Sequence, residues 1–170
     1  MDLRTLLKSS GVRNFTKLLS ANVVAQVIGL VVYPILARMY APEDFGLLNL
    51  FLSIGGVLTL ISIAEYQYAI VLPKEEKDAV SVFHVGIWAL FCSTICISVS
   101  VIFSDSISLL FKTPALSDIY WLLPVYVFIM GLWNLLNYWY VRQQNFGTIS
   151  VFQIFQSVLS SGSKIVLGLM

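Results

Sequence analysis

The sequence predicts an all-α, polytopic membrane helical bundle of about five transmembrane helices. Three observations carry that reading. Of 170 residues, 58% are hydrophobic and 11% charged, with a mean hydropathy of +0.87. Soluble domains carry about 25% charged residues and need them to cover a wet surface. Five apolar segments approach the roughly 20 residues that a helix needs to cross a bilayer. Lysine and arginine are shared unevenly among the loops between them, as in an oriented chain.

In chain order, residues 1–17 carry Arg4, Lys8, Arg13 and Lys17, with Leu3, Leu6 and Leu7 at helical spacing. This segment reads as a basic amphipathic helix on an anionic membrane surface, although an ordinary basic flank has the same composition. The apolar run that follows lacks a small-x-small cleavage site, so it is not a signal peptide. The expected spans are about 18–38, 45–63 (with a continuation toward Leu72 open), 80–103, 119–141 and 149–170. Turn chemistry separates them: Ala41-Pro42-Glu43-Asp44, then Pro73-Lys74-Glu75-Glu76-Lys77-Asp78, then Ser104 to Asp118 around Pro114, then Gln143-Gln144-Asn145-Phe146-Gly147. No polar flank follows the fifth segment, so a fragment of a longer protein is expected.

With a cytoplasmic N-terminus, the inside holds Arg4, Lys8, Arg13, Lys17, Lys74, Lys77 and Arg142, and the outside only Arg38 and Lys112. Seven against two favours that orientation. Tyr120 and Trp121 at one end of the fourth span, and Tyr138, Trp139 and Tyr140 at the other, have the placement of interfacial belts.

Polar residues inside the spans are the candidates for function. Gln153, Ser157, Ser160 and Lys164 share one narrow sector of the fifth span at about 100° per residue. Phe155, Val158, Leu159, Ile165 and Val166 lie opposite. A helix in lipid gains nothing from a polar side unless that side meets protein or water. Asn22, Gln26, Gly29 and Tyr33 form a similar face on the first span, and Asn49, Ser53 and Gly56 a weaker one on the second. Two readings stand for these faces, a polar pathway or interhelical hydrogen bonding, because both use the same residue types. Lys164 likewise either faces a cavity or snorkels to the surface. Glu65 reads as a solvated interfacial carboxylate or as part of an ion pair or cation coupling, and Arg142 as a positive-inside anchor or the pair's other half. The Gly55-Gly56 pair is a place where the second helix can bend.

Several functions are excluded. Cys92 and Cys96 have no second cysteine pair or neighbouring histidine, so they read as small apolar fillers. His84 is the only histidine, which leaves no metal site and no histidine-based triad. No phosphate-binding glycine loop, G-x-S-x-G elbow or H-E-x-x-H helix is present, so neither an enzyme nor a cofactor is expected. A net charge of +1 gives no field that would favour nucleic acid.

The run Ala37-Arg38-Met39-Tyr40-Ala41-Pro42-Glu43-Asp44-Phe45-Gly46 resembles the first-loop signature of polysaccharide biosynthesis flippases. These are the O-antigen and lipid-linked oligosaccharide translocases of the multidrug/oligosaccharidyl-lipid/polysaccharide exporter superfamily. Tyr68-Ala69-Ile70-Val71-Leu72-Pro73-Lys74, followed by acidic residues and Ala79, is similar to the second-loop pattern, and Gln153 to Gly168 resembles the fifth helix. The resemblance implies the partial N-terminal lobe of a two-lobed transporter in the bacterial inner (plasma) membrane. It implies translocation of a polyprenyl-diphosphate-linked oligosaccharide for lipopolysaccharide or other surface polysaccharide, alongside the polysaccharide polymerisation machinery. Lys164, Gln153, Ser157, Ser160, Asn22 and Gln26 would line the substrate pathway. A drug/cation antiporter of the same superfamily is the alternative, as is a non-transporting membrane remnant.

Overall fold

The computed structural model describes residues 10–169, with side chains at 16 and 19–158. Most of the expected N-terminal amphipathic segment lies outside the described residues. The described residues are helical, without a strand. The chain divides into two compact units, residues 43–142 and the flanking residues 1–42 with 143–170.

Local chemistry explains the helix boundaries. Helix α1 (Ser10–Met39) continues through Pro34, as helices in lipid can when neighbours re-satisfy the backbone. It stops just before Pro42, which disfavours helical geometry in the preceding residue. Helix α2 (Pro42–Ile63) opens with proline, whose fixed φ suits a first turn, and places Glu43 and Asp44 at its positive end. The connection is therefore only Tyr40–Ala41, shorter than the four-residue turn expected from sequence.

Helix α2 ends at two consecutive left-handed residues, Ala64 (φ 45) and Glu65 (φ 58), so it does not run on toward Leu72. Such residues cost about 1 kcal/mol or more each and persist where the surroundings fix them. Here fully buried Ile63 and Ile70 flank them. Between them lies the one-turn helix α3 (Tyr66–Ala69).

Helix α4 (Glu76–Ser100) leads through a 3-10 turn (Val101–Phe103) into α5 (Ser104–Leu110). Helix α6 (Leu116–Tyr120) then precedes α7 (Leu123–Arg142). The expected outer loop is thus largely helical. Gln144, at φ 54, ends α7, and Asn145 Oδ1 accepts from Thr148 N at 3.3 Å to cap α8 (Phe146–Leu169).

Among the described residues, three stretches are by themselves long and apolar enough to cross a membrane: Leu19–Met39, Pro42–Ile63 and Glu76–Leu110. Several hydroxyls within helices are satisfied by the preceding turn, as in Thr59 to Gly55 O at 2.7 Å and Thr94 to Leu90 O at 2.8 Å. Cys92 and Cys96 are exposed on α4, with Trp88, Ile95 and Val99 on the same helix, rather than filling its packed side.

Within residues 43–142 two clusters form the core. Phe51, Ile97, Leu116, Tyr120, Leu123 and Val127 make one; Ile63, Ile70, Leu90 and Leu135 make the other. Helices α4 and α7 run antiparallel and interlock. A Cβ on Gly131 would stand 2.5 Å from Leu90 Cδ1, and one on Gly86 would stand 2.8 Å from Leu135 Cδ2. Each leucine therefore fills the notch left by the other helix's glycine. Small residues serve this purpose in membranes, where lipid supplies no hydrophobic drive between helices and close packing must hold them.

Gly55 belongs to the same device. Helix α2 is uninterrupted through Gly55-Gly56, and a Cβ on Gly55 would meet Tyr126 Cε1 at 2.5 Å. Close approach requires this glycine. Gly56 has nothing within 4 Å of its Cβ direction. Gly55→Ala should therefore destabilise the protein by about 1–3 kcal/mol through overpacking. Gly56→Ala should be neutral or slightly stabilising, as alanine is the better helix former. Thermal unfolding in detergent, followed by size-exclusion fluorescence, separates the two.

Candidate functional site

Helix α1 packs along α8. On α8, Ile149 and Ser150 are buried and Gln153, Ile154 and Ser157 half-buried. Gln153 Nε2 donates to Asn22 Oδ1 at 2.6 Å, and the Ser157 hydroxyl donates to the Ala25 carbonyl at 3.1 Å. The contacts advance in the same direction on both helices, so α1 and α8 run parallel.

The structure thus brings three of the sequence candidates together: Asn22, Gln153 and Ser157. Each amide uses only half of its capacity in this bond. It leaves the Asn22 amide nitrogen as a donor and the Gln153 carbonyl oxygen as an acceptor. Gln26, one turn beyond Asn22, is exposed, and Gly29 beyond it borders open space. The backbone of α8 is helical through Leu169, so the positions of Ser160 and Lys164 keep the helical phase of Gln153 and Ser157. The side chains of Ser160 and Lys164 lie outside the described residues.

A second polar group sits where α2, α3 and α7 meet in the other unit. Glu65 Oε2 accepts from Gln67 Nε2 at 2.6 Å. Gln67 is buried, and its Oε1 has no hydrogen-bond partner. The Tyr68 and Tyr138 rings meet edge to face at 5.0 Å. Arg142 donates through Nη1 to Ile70 O at 3.2 Å and Pro73 O at 2.5 Å, and through Nη2 to Glu75 O at 3.2 Å. Glu65 and Arg142 therefore hold different partners: the carboxylate holds a glutamine and the guanidinium holds backbone.

The chemistry of Arg142 follows from its shape. A planar guanidinium presents several donors in a fixed fork and can hold three carbonyls at once, of which Glu75 O also accepts from Ala79 N at 3.3 Å. Sequence alone suggested a membrane anchor, and the structure adds a clamp on the connection between α3 and α4. Gln67 drew no attention in the sequence, because an amide between two tyrosines carries no periodic signal. His84 Nδ1 lies 2.7 Å from the Val80 carbonyl of its own helix. No group of three or more His, Cys, Asp or Glu that could hold a metal occurs among the described residues.

Removing the clamp has a measurable consequence. Arg142→Ala should free residues 70–75 at a cost of about 2 kcal/mol, roughly thirtyfold in local opening. Trypsin cleavage at Lys74 and Lys77 of the detergent-solubilised protein reads this directly. Arg142→Lys should fall between, since one ammonium cannot reproduce the fork.

A family model described as polysaccharide biosynthesis protein matches residues 12–169. Comparison with curated proteins and with solved structures gave no match. The matched region takes in both loop motifs, the α1–α8 contact and the Arg142 clamp. With apolar helices of membrane-spanning length inside it, this chain belongs to the polysaccharide biosynthesis protein family and is a membrane protein.

Proposed function

We propose that this chain takes part in translocating a polyprenyl-diphosphate-linked oligosaccharide across the bacterial inner membrane for surface polysaccharide synthesis. The observation that carries the reading is the polar contact of α8 with α1, Gln153 on Asn22 and Ser157 on the Ala25 carbonyl, within an otherwise apolar helix pair. A sugar-diphosphate headgroup cannot cross hydrocarbon unaided, because desolvating its charge and hydroxyls is prohibitive. A polar track with the lipid tail left in the bilayer solves this. From Gln153 to Lys164 the α8 sector spans about 16 Å at 1.5 Å per residue, a large part of a roughly 30 Å core. In this reading the free amide halves and hydroxyls meet sugar hydroxyls, and Lys164 meets the diphosphate. Ser160 extends the track and Gln26 adds to its wall.

The bond between Asn22 and Gln153 also favours a second reading, in which the stripe only fastens α1 to α8. Interhelical polar contacts in membranes contribute about 0.6 kcal/mol each on average, enough for that role. Lys164 distinguishes the two. Where cells depend on the intact protein for surface polysaccharide, Lys164→Ala and Lys164→Glu should abolish or cripple its display, and Lys164→Arg should retain part of it. Membrane abundance is measured in parallel. Normal polysaccharide from a well-expressed Lys164→Ala protein leaves the fastening role alone.

The reading also entails five crossings with the N-terminus in the cytoplasm. Supporting it, α1 and α8 run parallel while α4 and α7 run antiparallel, as odd and even crossings must. Reporter fusions at Glu76 and Gln144 should signal cytoplasm, and fusions at Glu43 and Ser108 the outside. A cytoplasmic signal from Ser108 would overturn this topology.

A further inference from the structure

The continuous helical stretch Glu76–Leu110 is 35 residues long. Its first part alone, the 25 residues of α4, is about 37 Å long at 1.5 Å per residue, already beyond the roughly 30 Å hydrocarbon core. The residues after α4 therefore leave the core at the end remote from the Arg142 clamp. Asp105 and Ser106 are exposed there, but large apolar side chains are exposed beside them. Ile102 (79% exposed), Phe103, Leu109 (68%), Leu110 (79%) and Phe111 are all exposed, and Trp121 joins them where the chain returns.

The other side of this elbow is packed. Ile107 packs against the cluster of Leu116, Tyr120 and Leu123, and Ser108 is buried, with its hydroxyl on Asp105 O at 2.8 Å. The Tyr120 hydroxyl lies 3.3 Å from Ser100 Oγ, tying the end of α6 to the end of α4. The apolar tip thus projects from a built scaffold. Lys112 follows it directly, exposed and held at φ 54 in the turn.

We infer that the elbow Ile102–Leu122 is a monotopic membrane-binding element. Leu109, Leu110 and Phe111 insert into the interface of the leaflet at that end, and Lys112 meets lipid phosphates. Two features select lipid over other occupants. The exposed side is continuous with that of α4, where Trp88, Ile95 and Val99 are exposed along the span. An apolar tip flanked by a lysine and a tryptophan also matches the layered chemistry of the interface, where acyl boundary, ring belt and phosphate follow one another. The inference requires only that the chain be embedded in a membrane, and does not depend on what is translocated.

The test places one environment-sensitive fluorophore on the full chain in vesicles of phosphatidylethanolamine and phosphatidylglycerol. Cys92→Ala and Cys96→Ala remove the native thiols, and Leu110→Cys or Asp118→Cys carries the label. Both labelled positions are exposed, so neither label displaces core packing. The probe at position 110 should emit at shorter wavelength and be quenched several-fold more by brominated lipid than the probe at position 118. Water-like emission at position 110 would overturn the inference. So would a blue shift without lipid quenching, since a protein surface would then cover the tip.

Discussion

Leu90 and Leu135 seat reciprocally against Gly131 and Gly86, and the spacing of α4 and α7 depends on that interlock. In water such a pair could be forced together by apolar burial. In lipid the surroundings are as apolar as leucine, so contact distance and dispersion must do that work. Ile63 joins the same notch, with its Cγ2 3.2 Å from where a Gly131 Cβ would be. The end of α2 is thereby fixed as well, and with it the left-handed turn at Ala64 and Glu65. Gly55 against Tyr126 repeats the arrangement farther along α2. The polar features of this unit rest on these three approaches.

Polar groups follow from the same lack of water. A hydroxyl can turn back on its own helix, and most do. Two larger polar groups instead reach across, Gln153 to Asn22 and Arg142 to three carbonyls, while Gln67 bonds Glu65 only two residues away. The first two join elements distant in sequence. Between α3 and α4 the chain leaves the helical ladder, and Arg142 ties the carbonyls of Ile70, Pro73 and Glu75 to the end of α7. A polar stripe in such a protein therefore has a structural use before it has any other. A track for a hydrophilic headgroup can be built on the amide halves and hydroxyls that this first use leaves over.

Composition, hydropathy and turn residues determined the all-α membrane class, because each is set by local chemistry. About 20 apolar residues can only be a helix in lipid, and Pro42 or the Gln144–Asn145 pair ends or starts one by its own backbone preference. The helical phase of Gln153 and Ser157 was legible for the same reason. What each polar residue touches was not. Asn22 and Gln153 are 131 residues apart, and Arg142 lies 72, 69 and 67 residues from its three carbonyls. The capacity to bend read at Gly55-Gly56 did not disclose the close approach of Tyr126 to Gly55, and the filler role expected for Cys92 and Cys96 failed because both are exposed. A small residue looks alike in sequence whether it is a hinge, a notch or a gap. Only the tertiary structure decides, because only there does Tyr126 arrive over one glycine and leave the next in open space.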